Sequence, residues 1–289
     1  MTEEKIIELG YLPKELPPGF ISDTLAENLT EIKSRWLTFE TSETERIEGE
    51  TRSNWNQRKA DFYSNYGSSQ CADFSISKGK LARRVLKLPN PKHYLTVSEL
   101  IASSWESYQP LFENSRYSMS FPIEQTENPK RAVKTYSSGV PVLRNEILKR
   151  SVRKLIQVKI DISKFYPTIY THTIPWSVLG KETAKRLFKL SRAELSELID
   201  EGDSDAIGYI NADKLDTAIR ACQDRQSIGV PIGPDTSHII AELVACRIDT
   251  HIHERFNALD IEAVRFYDDY YIYVNTRDEA DKVIKGLQL

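Results

Sequence analysis

Asp268 and Asp269 stand side by side within residues 261–274 (IEAVRFYDDYYIYV), between two runs of β-branched and aromatic residues. Such runs around a short polar break read as strand, two-residue turn, strand. Two carboxylates at a hairpin tip repel each other, and a divalent cation would offset that repulsion; a solvated Asp-Asp turn is the plainer reading of the same pair. A third carboxylate favours the cation. In residues 155–161 (LIQVKID), Ile156, Val158 and Ile160 fall on one face while Gln157, Lys159 and Asp161 fall on the other, so Asp161 ends a strand on its polar face. Carboxylate oxygens from separate strands, converging on one point, are what a pair of hard divalent ions requires for phosphoryl chemistry.

The elements that must position these acids are also legible. After Asp161 the chain leaves the strand through Ile162-Ser163-Lys164 and delivers Phe165 and Tyr166. Between the two acid sites, residues 226–237 form a Gly/Pro-punctuated loop that opens a helix. Ile240, Val244, Ile248, Ile252 and Phe256 recur there at i+4 beside Ile239 and Leu243, which predicts one apolar face. Beyond the hairpin, Thr276 or Asp278 can cap a helix carrying Ala280, Val283, Ile284 and Leu287.

Strand with Asp, Gly-rich loop with helix, and hairpin with Asp-Asp resemble motifs A, B and C of a reverse-transcriptase palm. More narrowly, FYPTIYTHTIPW at 165–176, GVPIGPDTSHIIAE at 229–242 and RFYDDY at 265–270 resemble the bacterial abortive-infection and other phage-defence reverse transcriptases, as do GYLPKELPPGF at 10–20 and RRVLKLPNPKHYL at 83–95. The resemblance implies an α+β fold: a right hand with a ferredoxin-like palm at 151–289, fingers at 71–150 and a largely helical N-terminal extension at 1–70. Such a palm is expected to continue into a further strand, a primer-gripping hairpin and a helical thumb. None is present in the sequence, which reads as truncated before the thumb or completed by another chain.

The same resemblance assigns roles. It implies an RNA-directed or template-independent DNA polymerase acting in antiviral defence, with dNTPs as substrates and two Mg²⁺ ions, or Mn²⁺ in their place. Asp161 and Asp268 are the expected metal ligands, Asp269 an auxiliary acid and the Ile162 carbonyl a further ligand. Tyr166, beside Phe165, matches a gate that lies under the sugar and excludes a 2′-hydroxyl. Gly229 and Pro231 match a close backbone approach to nucleotide and template, and Arg131 a contact to the triphosphate. Ile232 stands where many reverse transcriptases carry Gln, and Phe266 where the Tyr-x-Asp-Asp pattern carries Tyr. Partners implied are an RNA or DNA template and primer, or a protein-primed DNA product, with a homo-oligomer as an option. A catalytically idle nucleic-acid-binding scaffold is the alternative function.

Charge distribution agrees with a nucleic-acid path more than the net charge of −3 does. Residues 78–98 carry Lys78, Lys80, Arg83, Arg84, Lys87 and Lys92 without an acid, whereas residues 194–216 collect eight acids against Lys214 alone. Lys80, Arg83 and Arg84 are therefore candidate nucleic-acid contacts, since phosphate neutralisation dominates such affinity. Cys71, Cys222 and Cys246 are isolated and odd in number, which argues for free thiols. His251 and His253 point to different sides of a helix and cannot share a metal, and His172 reads as a structural hydrogen-bonding group. No apolar run is long enough for a membrane span and the acidic start is unlike a signal peptide, so the expectation is a cytoplasmic protein.

Overall fold

The computed structural model describes residues 1–36, 48–58, 67–79, 81–127, 129–137 and 139–287, a mixed α/β chain. In order its elements are helices α1 Glu3–Gly10, α2 Asp23–Glu27 and α3 Leu29–Trp36, strands β1 Ala72–Lys78 and β2 Ala82–Leu88, and helix α4 Pro91–Glu113. Next come strands β3 Pro122–Glu124 and β4 Val133–Thr135, helix α5 Val140–Ser151 and strand β5 Ile156–Asp161. Helices α6 Phe165–Thr168, α7 Thr173–Leu179, α8 Lys181–Phe188, α9 Arg192–Asp200, α10 Ser204–Ala221 and α11 Asp235–Arg255 follow. Strands β6 Glu262–Phe266 and β7 Asp269–Val274 and helix α12 Arg277–Leu287 complete the order.

The central sheet runs β5-β7-β6, all antiparallel, and its register sets everything that follows. β6 and β7 form the expected hairpin, with Phe266 opposite Asp269. The turn is therefore Tyr267-Asp268, and Asp269 is already the first residue of β7 rather than part of the turn. β5 lies along the other side of β7 with Asp161 opposite Asp269. Alternation then sorts the side chains: Val158, Ala263, Tyr270 and Ile272 face inward onto Ile252 of α11, Phe256 just past its end, and Ala280 and Val283 of α12. Helix α12 starts where the sequence placed its cap, since Thr276 Oγ1 accepts from Glu279 N–H and the Glu279 carboxylate accepts from Thr276 N–H at 3.0 Å.

Two elements depart from the sequence reading. α11 has more than one apolar face, because both α4 and α7 pack against it, and it also buries Asp235, Glu242 and Asp249. The N-terminal segment is no appendage: Ile6 and Ile7 of α1 are fully buried in that core beside Tyr94, Leu95 and Ile101 of α4. Two adjacent buried positions in a short polar helix give too weak a period to read from sequence.

The hairpin β1–β2 is tied to the Gly-rich loop by Lys87 N–H donating to the Ile232 carbonyl at 2.8 Å. Leu86 is buried while its neighbour Val85 is exposed, so Arg84 shares the inward face of Leu86 and Arg83 the outward face. The three cysteines are free thiols. Among the described residues no helix is long and apolar enough to cross a membrane.

Candidate active site at the end of the central sheet

Strand register brings the two acid sites together. Asp161 and Asp269 are directly opposed residues of β5 and β7, and Ile162 N–H donates to the Asp268 carbonyl at 3.1 Å. Directly opposed residues have their Cβ atoms about 5 Å apart and on one face of the sheet. Asp161 is exposed and the other two are half-buried. Partial burial first, then the like charges of Asp161 and Asp269, push the Asp268 carboxyl above its usual range, with Arg84 pulling the other way. Asp269 already has a cation, since Lys159 Nζ lies 3.1 Å from its Oδ1.

Strained backbone flanks both acids. Lys164, three residues past Asp161, has φ 53°, and Tyr267, next to Asp268, has φ 55°. Left-handed conformations cost a side-chain-bearing residue about 1 to 2 kcal/mol and persist only where the surroundings over-determine them.

Among the described residues no three His, Cys, Asp or Glu side chains stand close enough to hold a metal ion unaided. The four-ligand set expected from sequence is therefore not a preformed cage. Mg²⁺ does not demand one: it keeps several waters and is held by one or two carboxylates together with substrate phosphates. Asp161 and Asp268, hard oxygen donors from adjacent strand ends, fit that requirement, and Asp269 is better suited to the ion pair it makes with Lys159.

Tyr166 sits beside this cluster, partly buried against the main core. Burial, reinforced by the charges of Tyr267, Glu242 and Asp268, pushes its hydroxyl well above the usual range, while Arg84 acts in the opposite sense. Gly229 has φ 94° and donates its N–H to the Ile169 carbonyl at 2.7 Å; a Cβ there would lie 3.1 Å from the Pro167 carbonyl oxygen. In this structure the absence of a Cβ lets Gly229 approach the segment after Asp161, which it locks against the Gly-rich loop.

The other residues expected to make contacts lie in different surroundings. Phe165 is 6% exposed and belongs to the core, and Pro231 is buried. Arg131 is an internal ion-pair partner: its Nη2 and Nε bind Asp235, and its Nη1 donates to the Leu12 carbonyl. Burial raises the Asp235 carboxyl and Arg131 opposes that shift, so this guanidinium is committed inside the fold. Arg84 is the arginine whose charge reaches both Asp268 and Tyr166. Arg83 is held on the outward face by Ser75, through Nε to Oγ at 2.7 Å and Nη2 to the carbonyl at 2.8 Å. Lys80 lies outside the described residues. His172 makes the expected structural bond, Nδ1 to Asp216 Oδ2 at 2.7 Å.

On the inward side of the same strand ends lies a cluster the sequence reading missed. Arg265 of β6 has no exposed surface; its Nε and Nη2 bind Asp249 at 2.8 to 3.0 Å, and Nη2 and Nη1 bind Glu242 at 2.6 and 3.1 Å. Tyr270 Oη donates to Asp249 at 2.6 Å, Ser115 Oγ donates to Asp249 at 2.6 Å, and Ser118 Oγ donates to Glu242. Burial opposes the charge on Glu242, but Arg265 and these donors outweigh it and hold the carboxyl below its usual range. One signal was available: Asp235, Glu242 and Asp249 recur every seven residues along α11 among its apolar positions, and a buried acid stripe demands a buried cation.

No protein-family model and no curated protein matches this chain. Among solved structures it is similar to apo telomerase from Candida tropicalis, at 14% identity over 83% of this chain and 46% of that one, with a TM-score of 0.42. It is likewise similar to the same apo telomerase truncated from its C-terminal domain, at 14% identity over 83% of this chain and 52% of that one, again with a TM-score of 0.42. The chain spans about half the length of these structures.

Proposed function

We propose that this chain is a nucleotidyltransferase of reverse-transcriptase type, which extends a primer with dNTPs on an RNA template or without one, in antiviral defence against phage. The observation that carries the reading is the strand register that sets Asp161 opposite Asp269 and bonds Ile162 to Asp268. It gives physical form to the resemblance of the three motifs, in which the acids lie about a hundred residues apart in the chain.

In this reading two Mg²⁺ ions, when bound, stabilise the charge that develops on the attacking 3′-oxygen and the departing pyrophosphate. Asp161 and Asp268 would hold them, while Asp269 is engaged by Lys159. Arg84, whose charge is felt at Asp268, takes the triphosphate role in place of Arg131, which is engaged by Asp235, because a guanidinium suits phosphate oxygens. Tyr166 lies beside Asp268, where an aromatic ring would meet the sugar. Gly229 holds the segment that follows Tyr166 through its bond to the Ile169 carbonyl.

Labelled dNTP incorporation, with and without template, tests this with Asp161→Asn and Asp268→Asn. Loss of one ligand removes several kcal/mol of transition-state stabilisation, so incorporation should fall about a thousandfold or more while the fold is retained. Wild-type rates in either variant would retire that acid as a ligand, and no incorporation by the unmutated chain would leave an idle nucleic-acid-binding scaffold as the reading.

A further inference from the structure

Tyr267 is an aromatic residue held in the left-handed region, next to Asp268, and every polar atom it has is bound. Its N–H donates to Ser120 Oγ at 2.7 Å, its carbonyl accepts from Arg265 Nη1 at 3.1 Å, and its hydroxyl meets Thr135 Oγ1 at 2.7 Å. Its ring lies against His238, with centroids 5.3 Å apart. The two backbone bonds come from the buried ionic cluster: Ser120 Oγ itself donates to Glu242 at 3.3 Å, and Arg265 is fixed by Glu242 and Asp249. Ser120, Arg265, Glu242 and Asp249 are all 2% exposed or less.

We propose that this cluster is a positioning device for Asp268. Glu242 and Asp249, on the rigid helix α11, orient Arg265 and Ser120, which together clamp both backbone polar groups of Tyr267 and so fix the turn from which the Asp268 carboxylate projects. Left alone, an aromatic residue at φ 55° would relax toward negative φ and swing Asp268 away from Asp161. Ser120, Arg265, Glu242 and Asp249 are thus positioning residues rather than catalytic ones. Their role rests on the reading of Asp268 as a metal ligand in nucleotidyl transfer.

The test compares Ser120→Ala with Ser118→Ala in the full chain. Both remove a buried hydroxyl that binds Glu242, but only Ser120 also holds the turn. Free Mn²⁺ is titrated by its EPR signal in the presence and absence of dNTP, alongside kcat and KM for incorporation and thermal unfolding. Loss of an orienting partner of a metal ligand costs about 10- to 100-fold in affinity or activity. Ser120→Ala should therefore weaken Mn²⁺ binding and lower kcat by at least about tenfold with KM for dNTP little changed, and Ser118→Ala should leave both near wild type at a similar melting temperature. Equal behaviour of the two variants, or wild-type Mn²⁺ binding in Ser120→Ala, overturns the proposal. Asp268→Asn run in parallel separates the two ideas: if it too binds Mn²⁺ and incorporates dNTP as wild type does, the polymerase reading fails and the positioning role falls with it.

Discussion

The two faces at the end of the central sheet carry similar groups in opposite states. Outward, Asp161, Asp268 and Asp269 stand at neighbouring strand ends, with Lys159 as the ion-pair partner of Asp269 and the charge of Arg84 felt at Asp268. Inward, Glu242 and Asp249 converge on Arg265 and on the hydroxyls of Ser115, Ser118 and Tyr270. The inner cluster is desolvated, so each of its charges must have a partner within the fold, and such a network rigidifies what it touches. The outer cluster is wet enough to remain under-neutralised. Unsatisfied charge at the surface is what a cationic ligand reads, and satisfied charge beneath it holds the geometry to be read.

The sharpest way to break this contrast is to remove one charge from each side. Arg265→Met should strand two buried carboxylates and destabilise the protein by about 3 to 5 kcal/mol, measured by urea unfolding at neutral pH. Asp268→Asn should cost no stability, and in the absence of metal should gain some, because it relieves repulsion. Arg265→Met within about 1 kcal/mol of wild type would show that the cluster does not join the sheet to α11.

The two sides should also respond to pH with opposite signs. Glu242 has a folded pKa below its ordinary value, so it contributes stability above that ordinary value, and the contribution is lost as pH falls through the lowered one. Asp268 has a folded pKa above its ordinary value, so its contribution is present below the ordinary value and lost as pH rises through the raised one. Urea unfolding in EDTA across the acid range should therefore show Glu242→Gln losing ground to wild type as pH rises toward neutrality and Asp268→Asn gaining ground. Parallel profiles for the two variants would remove the distinction between the faces.

What the sequence disclosed divides along the same line. Period-two alternation marked Asp161 as the polar end of a strand, and a two-residue break marked the hairpin, because strand patterns and turns are local. The partners of Arg131 and Arg265 were not local. Asp235 is 104 residues from Arg131 in sequence, and nothing near either residue reports the pairing. Alternation did carry a clue to Arg265, which shares the inward parity of Ala263, but a single charge at a core position does not name its acids. Phe165 and Pro231 show the converse: motif position located them near the chemistry without saying that the backbone would turn them inward.

The smallest expected effect separates two neighbours that the sequence treats as one basic patch. Arg84 lies on the inward face of β2 with its charge felt at Asp268 and Tyr166, whereas Arg83 lies outward on Ser75. If Arg84 meets the triphosphate, Arg84→Ala removes a charge-assisted hydrogen bond of about 1.5 kcal/mol, and KM for dNTP should rise about tenfold. That change should leave the salt dependence of template binding as it was. If Arg83 tracks the phosphate backbone, Arg83→Ala should leave KM for dNTP unchanged and flatten the log-log salt slope of nucleic-acid binding by about one unit. The two measurements are independent, one made at fixed salt with varied dNTP and the other at fixed protein with varied salt. Identical changes in both variants would mean that the faces of this hairpin are not distinguished in solution and that neither arginine has a specific phosphate, whereas a crossed result would exchange the two roles and turn the hairpin relative to the acids.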